Sequence, residues 1–275
     1  MKTLLRKLLP PLVLDIFHAI KSAGNVKKRE LKKITATPRY QQGFTNILQL
    51  GSPVKFIDSA SFEFIYDELF VKEIYKFKTQ LPQPYIIDAG ANIGLSIIYF
   101  KKIYPNAAIV AFEADKSVFK ILDSNISALN YQNVELINKA LWSEETVLKF
   151  YSDGADGGRI ATSNDTENIT EIATTKLSFY LENKQVDFLK VDIEGAEYRV
   201  LLEAKEGLKN VRNIFVEYHS FVGQEQFLPE LFLILKEAGF IINMQQVNIF
   251  SPQPFVEKIR NNGMDLQINI FGTRK

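Results

Sequence analysis

The sequence predicts an α/β protein with a Rossmann-like, mostly parallel sheet, helices on both of its faces and an extension at the N-terminus. Three observations predict it. After Pro84, short β-branched or aromatic runs alternate with longer stretches at helical spacing, the pattern of parallel strands joined by crossover helices. A glycine-rich turn, Asp88-Ala89-Gly90-Ala91-Asn92-Ile93-Gly94, follows the first such run directly. Two strand-like runs come last, joined by a hairpin-like return, which suggests an antiparallel strand near the sheet edge.

Taken in order, Pro10 and Pro11 open a helix with Leu12, Ile16, Ala19 and Ile20 on one face, and the basic residues Lys27, Lys28, Arg29, Lys32 and Lys33 follow it. Two readings stay open for this segment. One is a helix docked on its own domain and followed by a solvated basic linker; the other is peripheral contact with an anionic membrane surface. Met1 to Lys21 resembles a targeting sequence only superficially: Pro10 and Pro11 interrupt its apolar stretch, Asp15 and His18 fall inside it, and no small-residue cleavage pattern follows. No run approaches the roughly 18 to 20 apolar residues of a bilayer crossing.

Val54 to Ile57 reads as a short strand. Ser59 or Ser61 then caps a helix carrying Phe62, Ile65, Tyr66, Leu69, Phe70, Ile74 and Phe77 at helical spacing, a core stripe, and Pro82 and Pro84 end it. The extension is set at residues 1–80 and the main domain at 81–275. Within the latter, strands are expected at Tyr85 to Asp88, Ala108 to Glu113, Val134 to Asn138, Val186 to Asp192 and Asn213 to Glu217. Helices are expected at Leu95 to Lys102, Lys116 to Leu129, Ala196 to Ala204 and Pro229 to Ala238, with closing strands at Phe240 to Met244 and Leu266 to Phe271.

Composition sets bounds. The chain has 275 residues, 46% of them hydrophobic, enough for one large domain with an elaboration. Basic side chains number 33 and acidic ones 32, a formal charge of +1, so no global field points to a nucleic-acid partner. The absence of cysteine excludes disulfides, thiolate metal sites and cysteine nucleophiles, and it fits a cytoplasmic protein, with the inner membrane face as the alternative the basic segment leaves open.

The chemistry is expected where strands end. Gly90 and Gly94 allow a tight turn whose N–H groups approach a ligand at a helix N-terminus, with Ala91 and Asn92 between them. Glu113 ends the second strand, 23 residues after Gly90, where a carboxylate accepts hydrogen bonds from ribose hydroxyls. Together they point to an adenosine-containing ligand. A dinucleotide fingerprint would place glycine where Asn92 stands, and no Walker-type loop is present. From Asn138 through Ala140 to Trp142 the chain leaves the third strand, where an amide and backbone groups could address an adenine edge, or where Leu141 and Trp142 could simply close the core. The fourth strand ends in Lys190-Val191-Asp192-Ile193-Glu194-Gly195-Ala196-Glu197 and the fifth in Glu217-Tyr218-His219. Carboxylates gathered this way serve a ligand, a proton transfer or a metal, although the helix dipole alone could account for Glu194 and Glu197. His219 could accept a hydroxyl proton, and Asp192 with Glu217 could hold Mg²⁺.

Through Tyr85-Ile86-Ile87-Asp88-Ala89-Gly90-Ala91-Asn92-Ile93-Gly94, Phe112-Glu113-Ala114, the Lys190 to Glu197 run and Glu217-Tyr218-His219, the sequence resembles the FkbM family of methyltransferases from about Ser61 onward. The resemblance implies the seven-stranded class I methyltransferase sheet with an antiparallel C-terminal strand, S-adenosyl-L-methionine as donor, and O-methylation in glycan, polysaccharide or natural-product pathways, with a sugar or other small-molecule acceptor. Ala114 stands where the family often has proline. On this reading Asp88, Gly90, Ala91, Asn92, Gly94, Glu113, Ala114, Asn138 and Ala140 address the donor, and Asp192, His219 and Glu194 carry the chemistry. Two rivals are a nicotinamide-dependent oxidoreductase and a non-catalytic scaffold that keeps the fold.

Overall fold

The structure is a computed structural model describing residues 26–155, 157–162, 165–247, 251–257 and 263–274. The helix expected from Pro10 lies outside the described residues. The basic segment after it is helical at 26–35 (α1) rather than a solvated linker. Ile34 is buried, and the buried Glu30 accepts from Asn46 N–H at 2.9 Å and pairs with Lys33 at 2.8 Å. Ile34 and Glu30, with the half-buried Leu31 packed on the core, thus hold a helix whose Lys28, Arg29, Lys32 and Lys33 face water.

Gly43–Thr45 (β1) and Val54–Phe56 (β2) form an antiparallel pair, and Ser59–Phe70 (α2) follows. Asp58, not Ser59 or Ser61, caps α2: its carboxylate accepts from Ser61 N–H at 2.9 Å. The aromatic stripe is core, as expected, but the helix ends seven residues before Phe77. Glu73 takes a left-handed backbone, φ 54°, and the N–H of Ile74 bonds back to Glu68 O at 3.1 Å, a Schellman-type stop. Released from the helix, Tyr75 and Phe77 turn onto the sheet and meet Phe215 and Phe188 at ring-centroid distances of 4.7 and 5.2 Å.

The central sheet is built from Tyr85–Ala89 (β3), Ala108–Phe112 (β4), Val134–Ile137 (β5), Val186–Val191 (β10), Val211–Phe221 (β11), Ile241–Gln246 (β12) and Met264–Thr273 (β13). Its order is β12-β13-β11-β10-β3-β4-β5, with β13 antiparallel to both neighbours and every other pairing parallel. This is the mostly parallel, seven-stranded Rossmann-like sheet that was expected. Leu95–Ile103 (α3) and Lys116–Ser127 (α4) join α2 on one face, in a core rich in aromatic rings. Ser178–Leu181 (α5), Glu197–Glu203 (α6) and Leu228–Glu237 (α7) are associated with the other face, whose core is largely Val, Leu and Ile. Residues of the extension and of the sheet, from Ile34 to Phe215, belong to one continuous hydrophobic cluster, so the division at 80/81 runs through a shared core.

The sequence reading left 143–185 blank, and the structure fills much of it with a second sheet. Ala140–Leu141 (β6), Val147–Tyr151 (β7), Arg159–Ile160 (β8) and Ile169–Thr175 (β9) pair in the order β6-β9-β7-β8. β6 and β8 have two residues each, and β7 and β9 alternate exposed with more buried positions along much of their length, so none carries the continuous apolar run that marks the strands of a parallel sheet.

One side chain ties the extension to the ligand-facing end of the sheet. Asn125, buried on α4, accepts from Lys55 N–H at 2.9 Å and donates to Lys55 O at 3.0 Å and Ile93 O at 2.9 Å. Its amide therefore pairs with β2 as a neighbouring strand would, while also holding the turn before α3.

Candidate active site

The turn after β3 is held by the strand beside it. Gly90 and Ala91 donate N–H groups to Phe112 O at 3.0 and 2.8 Å. Gly90 has φ 90°, and a Cβ there would lie 1.8 Å from Asp192 O, so only glycine fits where β3 and β10 release their chains side by side. Asn92 is also left-handed, φ 50°, a conformation asparagine tolerates.

Glu113, at the end of β4, grips this turn. One carboxylate oxygen accepts from Asn92 N–H at 2.9 Å and the other from Asp115 N–H at 2.8 Å. Each oxygen keeps a second lone pair. Burial raises its carboxyl pKa to about 7, against the pull of those two N–H groups. Glu113 lines a cavity with Gly90, Ala91, Asn92, Ala114 and Ala140.

Two residues expected in this cavity take other places. Asp88 is fully buried beneath the turn, accepting from the Ser96 hydroxyl and lying 3.4 Å from Lys190 Nζ; it braces the turn from below. Asn138 is exposed and donates to Glu113 O at 2.8 Å and Ala114 O at 3.1 Å, so it fastens the end of β4 rather than facing a ligand.

Lys190 is the charge centre of the mouth. Its ammonium donates to Gly90 O at 2.5 Å and sits 3.1 Å from Asp192 Oδ2. Burial disfavours its charge, but Asp192 and Asp88 outweigh this and raise its pKa. The ligand atoms of Asp192, Glu194 and His219 lie within 4.8 Å of one another, and Glu217 Oε1 is 3.8 Å from His219 Nε2. The ammonium already beside Asp192 supplies the positive charge that Mg²⁺ would have brought.

His219 does not end β11; the strand runs on to Phe221, and His219 is 4% exposed. Its Nδ1 lies 3.0 Å from Glu197 Oε1, and its Nε2 faces Glu194 at 3.8 Å. Burial alone would lower its pKa, but Glu194 and Glu197 raise it well above the ordinary imidazole value. Glu197, at the start of α6, accepts from Gly195 N–H at 2.9 Å and Ile193 N–H at 3.2 Å, so it organises the loop as well as the histidine. Glu194 holds a left-handed backbone, φ 52°, an unfavourable posture for a glutamate that recurs at functional sites. Burial raises its pKa well above the carboxylate range, with His219 opposing. Burial and then Asp192 push Glu217 up to about 8.

Glu194 has a further property: it lines both the donor-side cavity and a second groove beyond it, whereas Asp192 lines only the first and His219 neither. That groove, about 350 Å³, is walled by Trp142, Arg159, Tyr198, Arg199, Phe221 and Phe227. Glu68 and Tyr75 from the extension and Gln267 from β13 also enter the first cavity, and sequence reasoning missed them. Glu68 left one signal, a carboxylate one residue before Leu69 in an apolar stripe. Gln267 left none, because register alone sets it opposite His219.

Comparison with known proteins adds three findings. Residues 88–242 match the family model described as the Methyltransferase FkbM domain. The chain is 29% identical to Methyltransferase sdnD of Sordaria araneosa over 70% of its own length and 87% of that protein's. It is 23% identical to the 31-O-demethyl-FK506 methyltransferase FkbM of Streptomyces tacrolimicus, over 73% of this chain and 90% of the relative.

Proposed function

Since the chain belongs to the FkbM methyltransferase family, we propose that it transfers the methyl group of S-adenosyl-L-methionine to a hydroxyl of a sugar, in a glycan, polysaccharide or natural-product pathway. One observation carries the reading: the cavity over the Gly90 turn and Glu113 and a second groove share Ile160, Glu194 and Ala196 as lining residues, and of these only Glu194 can take a proton. Methyl transfer needs that arrangement, a donor on one side, an acceptor on the other and a proton acceptor between them. The name of the S. tacrolimicus relative, which places its methyl group on oxygen, supports the hydroxyl.

Glu113 accepts hydrogen bonds from the donor's ribose with its free lone pairs, and Gly90, Ala91 and Ala140 line the space left for the rest of the adenosine. The acceptor oxygen attacks the methyl carbon from the side opposite sulfur. The new O–C bond forms as the C–S bond breaks, the hydroxyl proton goes to the Glu194 carboxylate, and neutral S-adenosylhomocysteine leaves. Buried Glu194 holds a proton more tightly than an exposed carboxylate would, which suits a group that must take one from a hydroxyl. His219, charged and clamped by Glu197, holds Glu194 in place from behind. Asp192, paired with Lys190, fits the donor's own charged end.

The test is calorimetric titration with S-adenosylhomocysteine, comparing the native protein with Glu113→Ala. Loss of hydrogen bonds to a charged group, worth about 1.5–3 kcal/mol, should weaken binding roughly 10- to 100-fold. No binding to the native protein would refute the donor assignment.

A further inference from the structure

We infer that the groove beyond Glu194 takes a ring-bearing hydroxyl compound carrying one negative charge, a carboxylate or a phosphate, and that Arg199 reads the charge. This rests on the methyltransferase reading above and names the chemistry of its acceptor.

The groove presents flat apolar surfaces. Tyr198 and Phe227 stack at 4.5 Å with an interplanar angle of 11°, and Trp142 stands on the same wall. Such faces suit the C–H face of a sugar or another flat ring. Two guanidinium groups enter the groove, and their situations differ. Arg159 is neutralised within the fold: it holds Asp165 through two hydrogen bonds of 2.7 and 2.8 Å while lying over Tyr151 at 4.8 Å. Arg199 lies exposed over the Trp142 ring at 4.7 Å, and no carboxylate among the described residues lies within ion-pair distance of it.

A guanidinium held over a ring by its central carbon still has its N–H groups to give, and these grip a carboxylate or phosphate through paired hydrogen bonds. Contact with the Trp142 face also narrows the positions of the guanidinium before the ligand arrives, so less rotamer freedom is lost on binding. Position completes the case. Glu194 lines the same groove, so a ring lying on the aromatic wall can offer a hydroxyl to Glu194 and its charged group to Arg199. A neutral acceptor would leave the guanidinium without a partner, and a charged one placed at the carboxylates of the mouth would be repelled. Arg199 thereby discriminates among hydroxyl acceptors by charge.

Trp142 is the chain's single tryptophan, so its fluorescence reports this groove alone. The experiment titrates the S-adenosylhomocysteine complex with 4-methylcyclohexyl β-D-glucuronide and with the matching glucoside, which differ only in the carboxylate. The glucuronide should bind at least tenfold more tightly and shift the Trp142 emission. Arg199→Gln should bring the preference below threefold, Arg199→Lys should recover part of it, and S-adenosylhomocysteine affinity should stay unchanged in both variants. Equal binding of the two glycosides would overturn the charge assignment. Failure of both to bind while S-adenosylhomocysteine binds normally would overturn the groove assignment and leave the donor reading standing. If S-adenosylhomocysteine itself did not bind, the donor reading would fall, and this inference with it.

Discussion

One face of the central strands β3, β10 and β11 and the ends of those strands bury side chains of opposite kinds. Toward α2 and α3, Tyr75, Phe77, Tyr99, Phe100, Phe188 and Phe215 pack ring on ring, with only the two tyrosine hydroxyls as polar side-chain atoms among them. At the strand ends, Asp88, Lys190, Glu197, Glu217 and His219 are buried just as deeply, and the Oε2 atoms of Glu194 and Glu197 have no hydrogen-bond partner. The aromatic layer gains stability from each contact, whereas the mouth gives some up to hold carboxylates at raised proton affinity. The contrast separates what folds the protein from what lets it act: α2 belongs to both, its rings to the layer and Glu68 to the mouth.

Three substitutions probe that contrast. Phe100, fully buried and in contact with Tyr75, Tyr99 and Phe188, carries the largest effect. Phe100→Ala should cost about 3–5 kcal/mol, seen as a lower urea midpoint, and a loss below 1 kcal/mol would mean that the layer is not the stabilising half. Next, Glu194→Gln should lower turnover roughly 100- to 1000-fold while S-adenosylhomocysteine affinity changes less than threefold; unchanged turnover would remove Glu194 from the reaction.

The smallest effect is expected at Glu68, whose carboxyl burial pushes up to about 7, with Lys72 opposing. Below about pH 4.5 both the folded and the unfolded chain hold this proton. Between there and 7 the unfolded chain releases it first, so stability falls as pH rises, and the full cost is present above 7. Glu68→Gln should therefore raise stability by about 1 kcal/mol at pH 8, a figure discounted for its partial exposure, and by nothing at pH 4.5. A gain equal at both pH values would show that packing, not charge, is responsible.

How much of this was legible in the sequence depends on distance along the chain. The glycine turn, Glu113 and the Asp192 to Glu197 run are local patterns, and each sits at a strand end where spacing puts it. The stripe from Phe62 to Phe70 is equally local, yet its stop at Glu73 was missed, because a left-handed glutamate carries none of the glycine signal that usually marks a helix end. Asp88 read as a ligand contact because it abuts the glycines; only the pairing of β3 with β10 reveals that Lys190 claims it. His219 read as a base facing the acceptor because β11 was expected to end at Glu217; the strand runs four residues further, to Phe221, and carries His219 buried within it. The second groove was invisible. Trp142, Arg159, Arg199 and Phe227 come from four separate segments, and no period or motif connects them. Trp142, which the sequence allows either at an adenine edge or in the core, is half-buried, packs on the core of that sheet face and also lines the groove.

The placement of β13 governs the order in which a newly made chain becomes competent. This strand is the last of the sheet to be synthesised, yet it inserts between β11 and β12, which have no direct pairing. While a ribosome is still extending the chain toward residue 264, β12 has no hydrogen-bonded neighbour and β11 carries an open edge, the condition in which strands pair wrongly with other chains. The same insertion brings Gln267 against Glu217 and His219. Pairing β11 with β12 through β13 and setting Gln267 against the buried carboxylate and imidazole are thus one event.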